Sequence, residues 1–165
     1  MDLKILVPQK LKEIFPSLEF ETSDYKGELT IKFDKKQIAD VCSFLKSDPE
    51  LEFKVCSDIT AVDWATRKNR FTVVYNIFSI KHNFLLRLKV PLRGIDENDW
   101  NIDSVSSIWQ SANWQERETF DMYGIKFNNH PDLRRMYMPE EFEYHPLRKD
   151  FPLMGIPGSL PLPKK

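Results

Sequence analysis

Two stretches near the start of the chain carry apolar residues three or four positions apart, a spacing typical of helices that pack on a core. The first predicts a helix from Leu3 to Phe15, in which Pro8 either splits the helix or marks its first turn. The second follows Asp34 and Gln37, which have the spacing of a capping box, and its apolar residues are Ile38, Val41, Cys42 and Leu45. The spacing therefore predicts two amphipathic helices.

Alternation of apolar and polar residues marks the strands. It predicts a strand over residues 28–33, a shorter strand around Phe20, and a long bent strand from residue 51 to residue 64. Residues 71–80 and 84–92 are rich in β-branched and aromatic side chains and lie three residues apart, so we expect them to form a hairpin. Together these strands supply a sheet for the helices to cover.

Two further helices are predicted after the hairpin, over residues 103–109 and 114–123. For the second of them, Asn113 and Glu116 have the spacing of a capping box. Gly124 suits the left-handed residue that often follows the end of a helix.

Charged side chains are concentrated in this last helix, at Glu116, Arg117, Glu118 and Asp121. Three carboxylates beside an arginine are compatible with acid–base chemistry or a metal site. The simpler interpretation is structural: Glu116 caps the helix, Arg117 pairs with Asp121 one turn away, and Glu118 faces a partner or a basic group. Arg134 and Arg135 are candidate partners for Glu118 and Asp121.

The order of elements predicts a single small α+β domain with a mixed or antiparallel sheet over residues 1–127. Beyond it the composition changes, because seven of the chain's 11 prolines lie in the last 35 residues. Proline excludes long regular elements. We therefore expect residues 128–165 to form an extended, Pro-rich C-terminal arm.

The arm also contains many large apolar residues, which a purely solvated linker would not need. We expect a partner to order the arm, with Arg148 and Asp150 pairing across the rim of the interface. The expected anchors of this docking are Tyr144, Leu147, Phe151 and Leu153.

Composition and motifs exclude several functions. A net charge of −1 with interspersed signs gives no footprint for nucleic acid. No apolar run approaches the length of a membrane span, and the N-terminal residues lack a secretory signal pattern, so we expect a soluble fold. Cys42 and Cys56 are too few to ligate an iron–sulfur cluster, and no glycine-rich phosphate loop occurs. We expect no cofactor in this chain.

His130 and His145 each precede a proline and have no cysteine partners at zinc-binding spacing, so a zinc site is not expected. One alternative function is a stand-alone small acid–base enzyme that uses Asp63, Asp121 or His130. Such an enzyme would be active as a purified monomer.

Spaced residues in the second half of the chain carry a resemblance to a known family. They are Glu116-Arg117-Glu118, then Asp121-Met122-Tyr123, His130 and Arg134, followed by the block from His145 to Leu153. This pattern resembles the signature of the C subunit of proton-translocating NADH:quinone oxidoreductase, respiratory complex I. The match covers about a quarter of the chain.

The resemblance implies a cofactor-free subunit of the peripheral arm, bound to the counterpart of the D subunit and to cluster-bearing subunits on the cytoplasmic side of the membrane. FMN, iron–sulfur clusters and quinone are then expected in the partner subunits. It implies interface or structural roles, not catalytic ones, for the matching residues: Glu116, Arg117, Glu118, Asp121, His130, Arg134, His145, Arg148 and Asp150.

A paralogous complex is the other alternative. Membrane-bound hydrogenases and other quinone- or ferredoxin-linked oxidoreductases use related subunits, and the sequence pattern does not separate them from complex I. The neighbouring genes would separate the two.

Overall fold

A five-stranded sheet forms the centre of the chain. In this computed structural model, which describes residues 2–65, 69–94 and 96–152, the helices and strands follow in the order α1 (Leu3–Ile14), β1 (Phe20–Tyr25), β2 (Glu28–Phe33), α2 (Ile38–Ser47), β3 (Val55–Asp63), β4 (Phe71–Ser79), β5 (Phe84–Leu92), β6 (Asn101–Asp103), α3 (Ala112–Tyr123) and β7 (Lys126–Asn128).

The strands of the main sheet lie in the order β1-β2-β5-β4-β3. The β2–β5 pair is parallel and the other pairs are antiparallel. Strands β6 and β7 form a separate parallel pair. The predicted α+β domain with a mixed sheet is therefore confirmed, and so is the hairpin formed by β4 and β5.

One face of the sheet supplies the hydrophobic core. Alternate residues of β5 are buried, β4 is buried along most of its length, and the apolar stripes of α1 and α2 belong to the same cluster. Its largest fully buried side chains include Tyr75, Phe53 and Phe71. Burying a large apolar side chain contributes about 1.5–3 kcal/mol.

Helix α3 covers the free edge of β3. Three side chains spaced four residues apart along the helix donate hydrogen bonds to β3 carbonyl oxygens. They are Ser111 to Cys56 O (2.9 Å), Gln115 to Ser57 O (2.9 Å) and Thr119 to Ile59 O (3.0 Å). Exposed strand edges invite pairing with other chains. The polar side chains of α3 thus bind the edge of β3 at which a sixth strand could otherwise pair.

Two elements in the N-terminal half of the chain differ from the prediction. Helix α1 is continuous, with Asp2 as its cap and Pro8 in its interior, so Pro8 neither splits nor begins it. Strand β3 starts at Val55, because the chain turns at residues 49–51 and Glu52 then has a positive φ of 47°. The alternation there has another cause, namely that Leu51 and Phe53 both enter the core from this turn.

The helix predicted over residues 103–109 is not formed. Asn101–Asp103 is instead strand β6, which pairs with β7 more than 20 residues away. Turns follow it up to the start of α3. A long-range pairing of this kind leaves no periodic pattern in the local sequence.

A buried hydroxyl gives a direct test of the core. Among the described residues, Tyr75 Oη has no hydrogen-bond partner, whereas Ser79 Oγ donates to Leu51 O at 2.8 Å. An unsatisfied buried hydroxyl costs about 1–3 kcal/mol. We expect Tyr75→Phe to keep or raise the free energy of unfolding and Ser79→Ala to lower it by about 1–3 kcal/mol. Chemical denaturation measures both, and a clear loss in Tyr75→Phe would contradict this core geometry.

Candidate functional site

A segment without helix or strand follows β7 and lies against α3; we call residues 130–152 the strap. The last turn of a helix leaves four carbonyl oxygens unpaired. Here all four accept hydrogen bonds, three of them from the strap. The bonds run from Gly124 N to Phe120 O (2.8 Å), His145 Nδ1 to Asp121 O (2.8 Å), Leu147 N to Met122 O (3.1 Å) and Arg148 Nε to Tyr123 O (2.6 Å). The strap therefore completes the end of α3.

Gly124 makes this close approach possible. Its φ of 76° confirms the left-handed residue that the sequence predicts after the helix. A Cβ atom at this position would overlap the Arg148 guanidinium and the His145 ring. Any side chain at residue 124 would push the strap away from the helix.

Asp121 binds the middle of the strap. It is fully buried, and Oδ2 accepts the N–H groups of three successive residues, Met136 (3.0 Å), Tyr137 (2.7 Å) and Met138 (3.0 Å). Oδ1 accepts from Arg135 at 2.8 Å. Burial raises the pKa of Asp121, but these bonds outweigh burial and hold the pKa below its usual value.

The predicted pair between Arg117 and Asp121 is wrong. Arg117 instead donates to the carbonyl oxygens of Arg134 and Arg135, each at 3.2 Å, and its guanidinium lies 4.7 Å from the Trp114 ring. The strap supplies closer partners to both buried side chains than a helix turn does. Asp121 pairs with Arg135, one of the two candidates named from the sequence.

Two other motif residues lie at the surface. Glu118 is exposed. Arg134 pairs with Asp132 inside the strap, at 3.0 Å, and not with α3.

Glu116 is not a helix cap, because α3 starts at Ala112 and Ser111 holds the capping position. The Glu116 side chain is buried and accepts from Val105 N at 2.7 Å and Ser104 Oγ at 2.5 Å. Burial raises its pKa to about 7, although both hydrogen bonds act in the opposite direction. Glu116 thus joins α3 to the turn that follows β6.

The two histidines of the motif orient the strap through ring hydrogen bonds. His130 Nδ1 accepts from Asp132 N at 3.0 Å, so its Nε2 carries the hydrogen that faces Asn113 O at 3.1 Å. His145 donates through Nδ1, as described above, and burial holds its pKa below the usual value. Each ring fixes a turn before a proline.

Asp63 holds the far end of the strap. Its carboxylate accepts from Lys149 N and Ala65 N, each at 2.8 Å, and pairs with Arg70 through two bonds of 3.1 and 3.0 Å. Burial raises the pKa of Asp63, but Arg70 and the two N–H groups keep it lowered. Arg70 also binds Asp150 at 2.9 Å.

Arg148 and Asp150 were expected to pair with another protein across an interface rim. The structure pairs both within the chain, since the strap folds back on the domain. Arg148 binds Glu97 at 2.7 Å, and Asp150 binds Arg70. The guanidinium groups of Arg70 and Arg148 both lie over the Trp100 ring, at 5.2 and 5.0 Å from its centre.

Three large apolar side chains are exposed on the strap, among charged residues such as Glu140 and Glu143. Tyr137, Tyr144 and Leu147 are 60%, 39% and 51% exposed, and Phe151 is half-buried. The Tyr144 ring makes edge contacts with Phe142 at 5.8 Å and Phe151 at 6.3 Å. Leu153 lies outside the described residues. The docking role of these side chains, and the division of the chain at residue 127, remain predictions.

Several residues of the site were not found from the sequence, namely Arg70, Trp100 and Ser104, and Asp63 was named only for a different role. Asp63 did leave a signal, because it continues the buried side of β3 after Ile59 and Ala61. A carboxylate on the apolar face of a strand requires a buried partner. The other three residues come from loops whose positions no local pattern predicts.

The described residues contain no group of three or more His, Cys, Asp or Glu side chains that could hold a metal ion. In the same part of the chain, no helix has both the length and the apolar character needed to cross a membrane. Asp63 and Asp121 are two candidates for acid–base chemistry. Asp121 is bonded through both oxygens to the strap, whereas Asp63 is bonded to Lys149 N of the strap, to Ala65 N and to Arg70. Both carboxylates hold parts of the chain together.

Comparisons with known proteins agree with this description. A family model described as "Respiratory-chain NADH dehydrogenase, 30 Kd subunit" matches residues 31–157. The NADH-quinone oxidoreductase C subunit of Geobacter sulfurreducens is 46% identical over 147 residues, which is 88% of each chain. The subunit of the same name from Roseiflexus sp. is 41% identical over 89% of this chain and 83% of its own length.

Two solved structures share the fold. A trypsin-resistant fragment (1-134) of Nqo5 superposes with a TM-score of 0.65 at 25% identity, covering 79% of this chain and 100% of that one. A chain of an archaeal membrane-bound sulfane sulfur reductase superposes with a TM-score of 0.77 at 21% identity, covering 93% of this chain and 88% of its own.

The fold and the site define an α+β domain whose last helix is completed by its own C-terminal strap. The matches are more specific, since the family model and the curated relatives cover most of the chain. This chain belongs to the 30 kDa subunit family of respiratory-chain NADH dehydrogenase, whose bacterial members are named as the C subunit of NADH-quinone oxidoreductase. The resemblance seen in the sequence motif is confirmed.

The raised pKa of Glu116 predicts that the stability of the chain depends on pH. Its folded pKa of about 7 lies above the ordinary value of 4.5, so the folded chain binds the proton more tightly than the unfolded chain. The stabilisation from the neutral form is complete below the unfolded pKa and is lost as pH rises through the folded pKa. We expect the free energy of unfolding to fall by about 3 kcal/mol between these limits. In Glu116→Gln, chemical denaturation at several pH values should give a flatter profile.

Asp121→Asn is the matched control. Because the pKa of Asp121 is lowered, its contribution is present at neutral pH and is lost only as pH falls into the acid range. This variant should lower stability across the neutral range without flattening the slope. Equal slopes in the native chain and Glu116→Gln would contradict the assigned role of Glu116.

Proposed function

We propose that the chain is a cofactor-free subunit of the peripheral arm of proton-translocating NADH:quinone oxidoreductase, where it stabilises the quinone-reducing module. Family membership supports this role, because the curated relatives carry the name of a subunit of that enzyme. The chain itself would take no part in electron transfer from NADH to quinone or in proton translocation.

The exposed apolar side chains of the strap are the observation that carries the proposal. The strap is held by hydrogen bonds to Asp121 of α3 and to Asp63 at the end of β3, while its side chains Tyr137, Tyr144 and Leu147 are exposed. A strap with its polar groups satisfied and its large apolar side chains exposed suits burial against another subunit. Binding, not catalysis, is the use to which this surface is suited.

The partners in this proposal are the counterpart of the D subunit and the cluster-bearing subunits of the peripheral arm, on the cytoplasmic side of the membrane. FMN, the iron–sulfur clusters and quinone belong to those partners. The Nqo5 fragment (1-134), described as trypsin-resistant, is similar to 79% of this chain, which supports a stable domain followed by a separate segment.

Isolation of the chain from its host membranes, with an N-terminal affinity tag, tests the proposal. We expect NADH-binding and cluster-bearing subunits and a counterpart of the D subunit to co-purify, together with NADH:quinone reductase activity. Hydrogenase-type subunits in their place would support the paralogous complex. A chain that purifies alone and turns over a substrate would support the stand-alone enzyme.

Asp121→Ala should prevent assembly without changing the chemistry of complexes that do form. Removing one partner of a buried ion pair costs about 3–5 kcal/mol, and here it also frees three N–H groups of the strap. Native gels of membranes should show loss of the complex, with reductase activity falling in proportion to it. The matched control is Glu140→Ala, at an exposed strap residue, which should assemble normally. A fully assembled but inactive Asp121→Ala complex would argue for a catalytic role.

The docking surface has a separate test. Tyr144→Ser combined with Leu147→Ser removes two exposed apolar side chains, so the free chain should lose only about 1 kcal/mol of stability, from the edge contacts of the Tyr144 ring. The complex should nevertheless form poorly, because interface anchors contribute about 2 kcal/mol or more each. Tyr25→Ser, at a 69% exposed residue of β1, is the control. Normal assembly of the double variant would mean that the strap does not dock.

A further inference from the structure

Glu116 and His130 form a buried pair where the strap begins. Both side chains are fully shielded from solvent, and Glu116 Oε2 lies 3.8 Å from His130 Nε2. This distance is too long for a hydrogen bond. The Nε2–H group of His130 is bonded instead to Asn113 O at 3.1 Å. The Nε2–H group therefore lies between two acceptors: it donates to Asn113 O and makes no hydrogen bond with Glu116 Oε2.

The hydroxyl groups around Glu116 accommodate both of its protonation states. A neutral carboxyl group donates to Ser104 Oγ, 2.5 Å away, and the Ser104 hydrogen then points to Ser106 Oγ at 2.8 Å. An ionised carboxylate accepts from Ser104, and the Ser106 hydroxyl reverses. Hydroxyl hydrogens rotate to suit their partners, so this change moves no heavy atom.

The other groups that face Glu116 stay neutral near pH 7. They are Cys42 from α2, Cys56 from β3 and Tyr75 from β4. Burial, and secondarily the charges of nearby groups, raise the pKa of Cys56 to about 12 and the pKa values of Cys42 and Tyr75 well above their usual values. Glu116, with its pKa of about 7, is left as the group that gains or loses a proton there near neutral pH.

We propose that Glu116 and His130 act as a proton-sensitive latch between the α+β domain and the strap. With Glu116 neutral, His130 donates to Asn113 O and the strap starts as observed. When Glu116 releases its proton to solvent, the carboxylate draws the His130 N–H away from Asn113 O, because a charged acceptor forms the stronger hydrogen bond.

The movement of His130 is transmitted along the strap through two hydrogen bonds and an ion pair. The N–H of Asp132 is bonded to His130 Nδ1, and the Asp132 carboxylate pairs with Arg134. The carbonyl oxygen of Arg134 is in turn bonded to Arg117 of α3. A proton on Glu116 thus controls how the first turn of the strap lies on α3, whichever complex the chain joins.

An NMR titration of the full-length chain from about pH 5.5 to about pH 8.5 tests the latch. The carboxyl carbon of Glu116 and the amide of Asp132 should shift with one shared midpoint, near 7. The ring nitrogens of His130 report its charge separately and should show the Nε2–H tautomer. In Glu116→Gln the step at the Asp132 amide should disappear. The carboxyl carbon of Asp121 should show no step over the same range, since its pKa is lowered.

Three results would overturn the latch. They are a Glu116 carboxyl group that is ionised throughout, a His130 ring that carries its hydrogen on Nδ1, and an Asp132 step that survives in Glu116→Gln. If that variant does not fold, the native chain alone decides. Separate midpoints for the Glu116 carbon and the Asp132 amide would then show that the two are not coupled.

Discussion

The carboxylate of Asp121 is the group on which the C-terminal third of the structure depends. A buried carboxylate without partners costs several kcal/mol, so its position on α3 requires donors from elsewhere in the chain. The strap provides four of them, and to do so it must cross the helix at residues 135–138. The carbonyl oxygens at the end of α3 then fix residues 145–148 in the same way. The irregular, Pro-rich strap follows a defined path because Asp121 and the last carbonyl oxygens of α3 require hydrogen-bond donors that the helix does not supply.

The same reasoning explains why α3 lies where it does. Its polar stripe satisfies the edge of β3, and its buried Glu116 binds the turn after β6. At the other end of β3, Asp63 holds Arg70 and the backbone of Lys149. Sheet, helix and strap are therefore joined by hydrogen bonds to buried carboxylates and to backbone carbonyl oxygens. This arrangement leaves Tyr137, Tyr144 and Leu147 of the strap exposed.

The sequence was sufficient for the elements that depend on local periodicity. The stripe at Ile38, Val41 and Leu45 predicted α2, because side-chain spacing and burial have the same period there. The β-branched and aromatic residues on both sides of a three-residue connection predicted the hairpin of β4 and β5. Gly124 was predicted for a local reason as well, since few other residues adopt its φ.

The predictions that were wrong concern local patterns that fit two different structural roles. Asn113 and Glu116 have capping-box spacing, but a carboxylate one turn further into the helix serves equally well as a buried acceptor for Val105. Arg117 and Asp121 are one turn apart, yet each finds its partner in residues 134–138. Sequence separation does not reveal which acceptor is buried. The residues that contact the motif from loops, such as Ser104 and Trp100, become visible only in three dimensions.

Hydrogen exchange of the isolated full-length chain tests the central claim that the strap is bound to its own domain. We expect slow exchange at the amides of Met136, Tyr137, Met138 and Leu147, whose hydrogen atoms are bonded to Asp121 and to Met122 O. Asp121→Asn should speed the first three while amides of β4 and β5 stay protected. Exchange of all four at unprotected rates in the native chain, with the sheet still protected, would contradict the claim.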